Sequence, residues 1–515
     1  MAKNLMIQGT MSGVGKSILT AGILRVLKQD GYKVAPFKSQ NMALNSYVTK
    51  DGREIGRAQA LQAKACGLDP SSDMNPILIK PMGDTTSQII VNGLPLGNMK
   101  ARDYFKNKKS LIPDIQAAYD RLSRDADIIV IEGAGSPVEI NLRDNDIVNM
   151  GLAQILDAPV LLAGDIDPGG VFAQLLGTVS LMSDEERARV KGLIINKFRG
   201  DVTLLEPGLS MFKAYCDIPF AGVVPYTKLS LDEEDSVSQR LIVNNKFKNN
   251  SSVINADRVC INNALTDNMN HTNNRNLIIA VIRLPFISNY TDFTIFENID
   301  GVDLYYIDDP DSLDNADLVI IPGTKNTIED LGWLCSKGLS AKIRELSDKE
   351  VPIIGICGGF QMLGKSIADT TGVESGGVVK GLGLLPIETK FTDYKNLKQV
   401  SAKTPKLNGF YEPVSDTPIS GYEIHMGSST SADSTVTEDC VIARRTVLGT
   451  YIHGIFDTPS FTQKLIKLLY EKNGIDRGIP VIEEISVTQD RELDRLADVL
   501  RQSLDFEMIY RIIGL

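Results

Sequence analysis

The feature that most constrains this chain is a repeated alternation of short apolar runs with segments of helix length. In the first 230 residues the apolar runs are rich in β-branched side chains, and they occupy residues 5–8, 34–37, 128–131, 160–163 and 193–196. Strands that are covered on both faces of a parallel sheet have this composition. Segments long enough for helices lie between them, at residues 17–29 and 115–124. The pattern predicts a doubly wound α/β domain.

A second alternation of the same kind begins at residue 277. Its apolar runs occupy residues 277–282, 304–307, 318–321 and 353–356, and a further set of short strands ends at residues 447–452. We therefore predict a second α/β domain with its own parallel sheet. One or two amphipathic helices are expected between residues 485 and 513, and we expect them to pack against the protein.

The stretch between the two alternations is unusually rich in asparagine. Residues 244–276 contain asparagine at 12 of 33 positions, and asparagine favours turns over regular backbone pairing. This composition predicts a linker or a surface insertion. The expected organisation is a first domain, an Asn-rich insertion, a second domain and a C-terminal helical segment, at residues 1–235, 236–276, 277–480 and 481–515.

Composition and charge exclude several classes of function. The chain has 54 Lys and Arg against 65 Asp and Glu, a net charge of −11, which disfavours binding to nucleic acid or to a membrane surface. No apolar run approaches the length of a transmembrane helix. The six cysteines are scattered without a CxxC pair, which disfavours a zinc site or a disulfide framework. The first residues lead directly into an apolar run without a signal-peptide pattern, so a cytoplasmic location is expected.

Residues 9–17 read GTMSGVGKS and lie between a predicted strand and a predicted helix. This is the context of a phosphate-binding loop, in which backbone N–H groups at a helix N-terminus face phosphate oxygens. The candidate ATP-binding residues are Gly9, Thr10, Ser12, Gly13, Gly15, Lys16 and Ser17. Lys16 is expected to reach the terminal phosphates, and Thr10 stands where the usual pattern has glycine. This variant resembles the dethiobiotin-synthetase-like group of nucleotide-binding proteins.

A Mg²⁺ ion that accompanies ATP needs oxygen ligands near the loop. The hydroxyl of Ser17 is one candidate. Glu132, at the end of a predicted buried strand, and Glu54 are the main carboxylate candidates, and Asp165 is a third. Lys38 ends another predicted strand at the same edge of the sheet, where it could neutralise a transferred phosphoryl group or a substrate carboxylate.

A second candidate site lies in residues 351–364, which read VPIIGICGGFQMLG. An apolar strand ends at Cys357, two glycines form a tight turn and a helix begins, which is the pattern of a nucleophile elbow with cysteine in place of serine. The helix N-terminus favours the thiolate. The backbone N–H near Gly358 can form half of an oxyanion hole, and the loop that contains Gly323 can supply the other half.

A cysteine nucleophile needs a base, and the chain has three histidines. His453 follows a predicted strand and is the expected base. His425 is expected to orient a loop or to touch substrate, and His271 lies in the Asn-rich stretch. The arrangement resembles class I glutamine amidotransferases, of which the commonest members have a glutamate two positions after the histidine. Here that position is Ile455, so either a Cys–His pair acts alone or another carboxylate orients His453.

The combination of a phosphate loop with a glutaminase-like site, together with several longer motifs, resembles the cobyric acid synthase family of cobalamin biosynthesis. The resemblance extends over nearly the whole chain. The longer motifs are FKSQNMALNS at 37–46, DGREIGRAQ at 51–59, MNPILIKP at 74–81, NKFRGD at 196–201, LPFISNYTD at 284–292, PGTKNTIEDL at 322–331 and GYEIHMG at 421–427.

This resemblance implies a glutamine-hydrolysing amidoligase that uses ATP and Mg²⁺. Its reaction would amidate peripheral carboxylates of adenosylcobyrinic acid a,c-diamide to give cobyric acid, through an acyl phosphate and glutamine-derived ammonia. Because the corrinoid substrate is a large polyanion, an acidic protein must collect local positive charge and amides to bind it. The candidate substrate residues are Lys38, Gln40, Asn41, Asn45 and Arg57.

The sequence features leave two alternative functions. Cobyrinic acid a,c-diamide synthase has the same domain order and chemistry, but the motifs at 37–46 and 196–201 favour cobyric acid synthase. A more distant alternative is a non-enzymatic, partition-type ATPase switch, which would require the loss of the cysteine nucleophile. The sequence predicts neither the oligomeric state, nor the order of the amidations, nor the route of ammonia.

Overall fold

The computed structural model describes residues 2–82, 85–231, 274–431 and 441–515. These residues form two compact units. Of the described residues, the first unit comprises 2–82, 85–231, 397–399 and 485–515, and the second comprises 274–396, 400–431 and 441–484. Most of the Asn-rich stretch, together with His271, lies outside the described residues, so the predicted insertion stays a prediction.

Strands of the first unit form one large parallel sheet and two small sheets. The strands are β1 (Lys3–Gly9), β2 (Val34–Phe37), β3 (Gln40–Met42), β4 (Ser46–Val48), β5 (Glu54–Gly56), β6 (Ile77–Pro81), β7 (Thr86–Val91), β8 (Leu94–Lys100), β9 (Ile128–Glu132), β10 (Val160–Asp165), β11 (Val190–Phe198) and β12 (Phe220–Pro225). The large sheet has the order β12-β11-β10-β1-β9-β2, and its paired strands run parallel. A mixed sheet has the order β3-β6-β7-β8, and β4 pairs with β5.

Helices cover the large sheet on both faces. They are α1 (Lys16–Gln29), α2 (Arg57–Cys66), α3 (Ala101–Asn107), α4 (Ile112–Ser123), α5 (Met150–Ile155), α6 (Val171–Leu181), α7 (Asp184–Arg189) and α8 (Glu206–Phe212), with 3₁₀ helices at Ser72–Met74, Lys108–Leu111, Ile140–Asn145 and Val202–Leu204. Alternate residues of β1 enter two separate hydrophobic clusters: Met6 belongs to one, while Leu5 and Ile7 belong to the other. Since successive strand residues face opposite sides, the sheet has an apolar core on each face.

The second unit is built around a six-stranded sheet and a five-stranded sheet. Its strands are β13 (Leu277–Ile282), β14 (Val302–Ile307), β15 (Leu318–Ile321), β16 (Ile353–Ile356), β17 (Ser366–Asp369), β18 (Gly377–Lys380), β19 (Ile387–Lys403), β20 (Pro418–Ser431), β21 (Val441–Arg444), β22 (Val447–Thr450) and β23 (Ile452–His453). The larger sheet has the order β14-β13-β15-β16-β22-β21, parallel except for the edge strand β21. The smaller sheet has the order β18-β17-β19-β20-β23.

The helices of the second unit are short to medium in length. They are α9 (Thr294–Glu297), α10 (Thr327–Ser336), α11 (Leu339–Asp348), α12 (Gly358–Leu363) and α13 (Pro459–Asn473), with 3₁₀ helices at Tyr290–Phe293, Pro310–Leu313, Gly409–Val414 and Ile455–Asp457. The strands β15 and β16 are fully buried. Because β15 and β16 are parallel neighbours, the loops that follow them lie at the same edge of the sheet.

The C-terminal helices belong to the first unit. They are α14 (Ile485–Ser503) and α15 (Phe506–Ile513). Leu496 and Leu500 of α14 join the hydrophobic cluster that contains Leu24 of α1. The approach is close, because a Cβ atom added to Gly22 of α1 would lie 2.4 Å from Cδ1 of Leu500. An ion pair of 2.7 Å between Arg25 and Asp494 flanks this contact.

The predicted fold class is confirmed, with two doubly wound α/β units, and the predicted helices at 17–29 and 115–124 correspond to α1 and α4. The prediction of short strands before residue 452 was wrong for β19 and β20, which have 17 and 14 residues. Many of their side chains are polar, so hydrophobic patterning alone did not reveal their length. No helix in the described part of the chain has the length and hydropathy needed to span a lipid bilayer.

Candidate active sites

The phosphate-binding loop connects β1 to α1, which begins at Lys16. Gly13 and Gly15 have φ angles of 76° and 93°, in the left-handed region that glycine adopts without strain. An added Cβ at Gly15 would lie 2.4 Å from Nδ2 of Asn196. Asn196 in turn donates a hydrogen bond to the carbonyl of Val14 at 2.7 Å. The loop is thus held as a concave turn at a helix N-terminus, a geometry that binds phosphate oxygens.

The side chain of Lys16 lies across this loop. Its Nζ donates to the carbonyl of Met11 at 3.0 Å and to that of Gly135, after β9, at 3.3 Å. The loop residues Gly9, Thr10 and Ser12 line the same turn: a Cβ on Gly9 would strike Val14, Thr10 contacts Gln174, and Ser12 is exposed. The two hydrogen bonds of Lys16 thus hold its positively charged ammonium group beside the loop.

Glu132, at the carboxyl end of β9, is the centre of a buried polar cluster. Its Oε1 accepts hydrogen bonds from Oγ of Ser17 at 2.7 Å and from Nζ of Lys38 at 2.8 Å. Its Oε2 accepts one from Nε2 of Gln62 at 2.6 Å. The structure thus brings together Ser17, Lys38 and Glu132 as predicted, and it adds Gln62, which the sequence analysis did not identify.

The other predicted carboxylates have cationic partners of their own. Glu54 is fully buried and accepts a hydrogen bond from Nζ of Lys80 at 2.9 Å, and Lys80 also donates to Ser46 at 2.9 Å. Asp165 pairs with Lys197 at 2.8 Å. Among the described residues, no group of three or more His, Cys, Asp or Glu side chains is arranged to hold a metal ion.

The first predicted substrate residues lie on β3. Gln40 accepts a hydrogen bond from the hydroxyl of Tyr104 at 2.6 Å. Asn41 is 2% exposed and donates to Oε1 of Gln59 at 2.8 Å. Both side chains are held in place by neighbours within the same unit, so they present fixed polar groups.

Asn45 and Arg57 are the remaining predicted substrate residues. Asn45 is 1% exposed, and neither atom of its amide has a hydrogen-bond partner in the described structure. The guanidinium of Arg57, at the start of α2, lies 5.7 Å from the ring centre of Tyr47. A buried amide without partners is costly, which makes Asn45 the strongest indication of a polar ligand in this segment.

Cys357 lies directly between β16 and α12. It has φ of 51° and ψ of −108°, a conformation that residues with side chains rarely adopt. Strain of this kind is found at functional sites, and a nucleophile elbow requires it. The residue is 6% exposed, and its Sγ lies 3.6 Å from the carbonyl oxygen of Ile424. The predicted elbow is present in the structure.

Two backbone segments meet beside this cysteine. A Cβ on Gly358 would lie 2.6 Å from Cγ2 of Thr324 and 3.2 Å from its backbone nitrogen. A Cβ on Gly323 would lie 2.9 Å from Cε1 of His453. Both glycines are needed for this close approach, which puts the loop after β15 against the elbow and the imidazole.

His453, at the end of β23, is buried and forms part of a Cys–His–Asp arrangement. Its Nδ1 lies 2.7 Å from Oδ2 of Asp292, and the backbone N–H of Gly454 donates to Oδ1 of the same carboxylate at 3.0 Å. Burial alone would lower the pKa of His453, but the charge and hydrogen bond of Asp292, together with a hydrogen bond to Cys357, raise that pKa to about 10. The site therefore favours an imidazolium beside the cysteine.

Asp292 is a functional candidate that sequence reasoning missed. It lies on the 3₁₀ helix Tyr290–Phe293, 161 positions before His453. Position 455, two residues after the histidine, is a buried isoleucine. The motif at 284–292 was recognised, but no local pattern marks its last residue as the partner of a histidine.

Asp330 joins the two loops that surround this arrangement. Its carboxylate accepts hydrogen bonds from the backbone N–H of Phe286, at 3.2 Å for Oδ2, and from the hydroxyl of Thr324. Burial raises the pKa of Asp330 to about 7. Phe286 lies on the segment that leads to Asp292, and Thr324 follows Gly323. One buried carboxyl group thus fixes both loops relative to each other.

His425 on β20 has a different environment from that of His453. Its Nε2 lies 3.2 Å from Glu423 and 3.1 Å from Asn396, and its Nδ1 lies 3.0 Å from the carbonyl of Gly427. The ring also stacks on Tyr451 at 3.8 Å. These contacts suit a residue that orients the strand next to Cys357.

Comparison with known protein families gives two matches along the chain. Residues 5–237 match the family described as the CobQ/CobB/MinD/ParA nucleotide binding domain. Residues 278–461 match the CobB/CobQ-like glutamine amidotransferase domain. The first unit therefore contains a nucleotide-binding domain and the second a glutamine amidotransferase domain.

Full-length relatives extend this likeness over the whole chain. A cobyric acid synthase of Lachnoclostridium phytofermentans is 49% identical over 536 residues, which cover 99% of each chain. A cobyric acid synthase of Ruminiclostridium cellulolyticum is 46% identical and covers 100% of this chain and 97% of its own. One from Clostridium acetobutylicum is 45% identical over 99% of each chain.

Proposed function

Because the chain belongs to the cobyric acid synthase family, we propose that it amidates peripheral carboxylates of adenosylcobyrinic acid a,c-diamide to give cobyric acid. Glutamine supplies the nitrogen and ATP supplies the energy, in the cytoplasm. The observation that carries this proposal is the likeness to curated cobyric acid synthases at 45–49% identity over 99–100% of this chain. The candidate catalytic groups around the loop at 9–17 and around Cys357 support it.

The amide-forming reaction belongs to the first unit. ATP binds with its phosphates against the N–H groups of the loop at 9–17, and Lys16 neutralises charge on the terminal phosphates. The substrate carboxylate attacks the γ-phosphorus and ADP leaves, which gives an acyl phosphate. Ammonia then attacks the acyl carbon, the bond to the phosphate oxygen breaks, and inorganic phosphate departs.

The residues around the loop fit a magnesium ion. Ser17 and Glu132 would hold it, with Glu54 as a further carboxylate, and this small set suits Mg²⁺, which takes few protein ligands and keeps waters and phosphate oxygens. When bound, Mg²⁺ neutralises charge on the transferred phosphoryl group. Lys38, which is paired with Glu132, adds a second positive charge at the same place.

Binding of the corrinoid is assigned to the polar segment between β3 and α2. Lys38 and Arg57 supply positive charge, and Gln40, Asn41 and Asn45 supply amides that can donate to carboxylates and amides at the rim of the substrate. The partnerless amide of Asn45 supports this assignment most directly.

Ammonia is produced in the second unit. The thiolate of Cys357 attacks the carboxamide carbon of glutamine, and the N–H groups near Gly323 and Gly358 stabilise the oxyanion. His453 gives a proton to the leaving nitrogen, the C–N bond breaks, and ammonia leaves a thioester. Water, deprotonated by His453, then hydrolyses the thioester to glutamate. His425 holds the neighbouring strand in position.

Asp292 is proposed as the third member of this site, which gives a direct prediction. Asp292→Asn removes the negative charge that raises the pKa of His453, so the imidazolium becomes less stable and the upper pH limit of glutaminase activity moves toward neutral pH. We expect kcat to fall by about 10²-fold, less than the ~10⁴-fold loss in a serine triad, because a thiolate needs less help from a base.

Glutamate release, measured from pH 6 to 10, tests this prediction. Asp303→Asn, a substitution on β14, serves as a matched control and should leave the profile unchanged. A folded Asp292→Asn protein with the wild-type pH profile and kcat would remove Asp292 from the catalytic group.

A substrate screen tests the proposed function as a whole. The purified protein is incubated with ATP, Mg²⁺, glutamine and each of a series of partly amidated corrinoids, and products are identified by mass. We expect a loss of about 1 Da for each carboxylate converted to an amide, with the a,c-diamide as the accepted substrate. Amidation of cobyrinic acid itself, with no reaction of the a,c-diamide, would instead identify a cobyrinic acid a,c-diamide synthase.

A further inference from the structure

Gln62 contacts the metal-binding candidates but has no role in the function described above. It lies on α2 and is 1% exposed. Its Nε2 donates to Oε2 of Glu132 at 2.6 Å and lies 3.3 Å from the carbonyl oxygen of Ser17. Its Oε1 is buried and has no hydrogen-bond partner in the described structure. The Nε2 of this amide is therefore hydrogen-bonded, while its Oε1 has no hydrogen-bond partner in the described structure.

The two oxygens of Glu132 have separate partners. Oε1 accepts hydrogen bonds from Ser17 and Lys38, and Oε2 accepts one from Gln62. Rotation of the carboxylate would break both sets of hydrogen bonds. The hydrogen bond from Gln62 therefore helps to fix the plane of the Glu132 carboxylate next to Ser17, where the ion is proposed to bind.

The available end of Gln62 is an oxygen that can only accept hydrogen bonds. Waters bound to Mg²⁺ direct their oxygens at the ion and can only donate outward. Mg²⁺ usually keeps several of its waters in a protein site. The Oε1 of Gln62 is a buried acceptor without a described partner, and the same amide contacts Ser17 and Glu132. A water bound to Mg²⁺ could donate a hydrogen bond to it.

We propose that Gln62 is a positioning residue of the magnesium site. Its Nε2 orients Glu132, and its Oε1 accepts a hydrogen bond from a water of the Mg²⁺ hydration shell. Residues that support metal ligands in this way alter metal affinity by about 10–100-fold when they are replaced. The inference rests on the proposed function, since it takes Ser17 and Glu132 as ligands.

Calorimetric titration of the full-length protein with ADP tests this inference without turnover. The titration is done once with saturating Mg²⁺ and once with EDTA. The dissociation constant of ADP in EDTA divided by that in Mg²⁺, called here the magnesium ratio, measures how much the ion strengthens ADP binding. Gln62→Met keeps the length and burial of the side chain but removes both hydrogen-bonding atoms. We expect it to reduce the ratio by at least about 10-fold and to leave ADP affinity in EDTA unchanged.

Gln59→Met is the matched control. Gln59 lies one turn earlier on the same helix, is fully buried, and contacts Asn41. Its replacement should leave the magnesium ratio at the wild-type value. Gln62→Asn, which is one methylene shorter, should reduce the ratio in the same direction and provides a second test if the methionine variant does not fold.

The outcomes separate this inference from the proposed function. A wild-type ratio in a folded Gln62→Met protein overturns the inference and leaves the function standing. An equal loss of ADP affinity with and without Mg²⁺ assigns Gln62 to the structure of the loop and also overturns it. If ADP binding to the wild-type protein does not respond to Mg²⁺, the proposed magnesium site itself is wrong.

Discussion

Replacement of Cys357 by alanine is expected to abolish amidation with glutamine while preserving amidation with ammonium salts at alkaline pH. The thiolate is needed only to release ammonia, and the acyl phosphate forms on a different unit. Glutamine-dependent turnover should fall by at least ~10³-fold, since the residual catalysis comes from the oxyanion hole and binding alone. The fold should persist, because only a sulfur atom is removed from a nearly buried turn.

Product formation from the corrinoid, measured with glutamine and with ammonium chloride in parallel, checks this expectation. Cys335→Ala is the matched control, because Cys335 is an exposed free cysteine on α10, and it should retain both activities. If a Cys357→Ala protein used glutamine at the wild-type rate, the assignment of Cys357 as the glutaminase nucleophile would be wrong. Loss of both activities in a folded variant would mean that the sites are coupled more tightly than an exchange of ammonia requires.

Replacement of Lys16 by alanine is expected to abolish amidation with either nitrogen source. The ammonium group of Lys16 is held over the loop by the carbonyls of Met11 and Gly135, where it meets the phosphates of ATP. Without it the charge that develops on the transferred phosphoryl group is poorly stabilised, and kcat should fall by at least ~10²-fold.

ADP release in the presence of corrinoid and ammonium chloride measures this step separately from the glutaminase. Lys28→Ala, near the other end of α1, should leave ADP release unchanged. Turnover near the wild-type rate in Lys16→Ala would remove the loop at 9–17 from the reaction. Glutaminase activity serves as a check that the second unit is intact.

The features that could be predicted from the sequence are those encoded in short contiguous segments. The elbow at Cys357 and the loop that ends at Lys16 each combine a strand, glycines and a helix start within about 15 residues, so local patterning reveals them. The two parallel sheets were predictable for the same reason, since each buried strand is an uninterrupted apolar run.

Residues that matter through distant contacts could not be found in this way. Asp292 meets His453 across 161 positions, and Gln62 meets Glu132 across 70. Pairs of this kind depend on how strands are ordered in a sheet, which hydrophobic patterning does not determine. Glu54 illustrates the same limit, because its buried partner Lys80 comes from a small sheet that the sequence analysis did not predict.

The packing of α14 against α1 has a consequence for how the protein is made. The helix that carries the phosphate loop completes its hydrophobic cluster with Leu493, Leu496 and Leu500, which are synthesised after the whole of the second unit. Most of the nucleotide-binding unit emerges from the ribosome first, yet this cluster, one of its two hydrophobic clusters, stays incomplete until α14 has been synthesised. Contacts at such separation in sequence slow folding and leave apolar surface exposed to aggregation in the meantime. The described residues of the second unit all precede α14 in the sequence, so that unit can fold before this cluster of the first unit is complete.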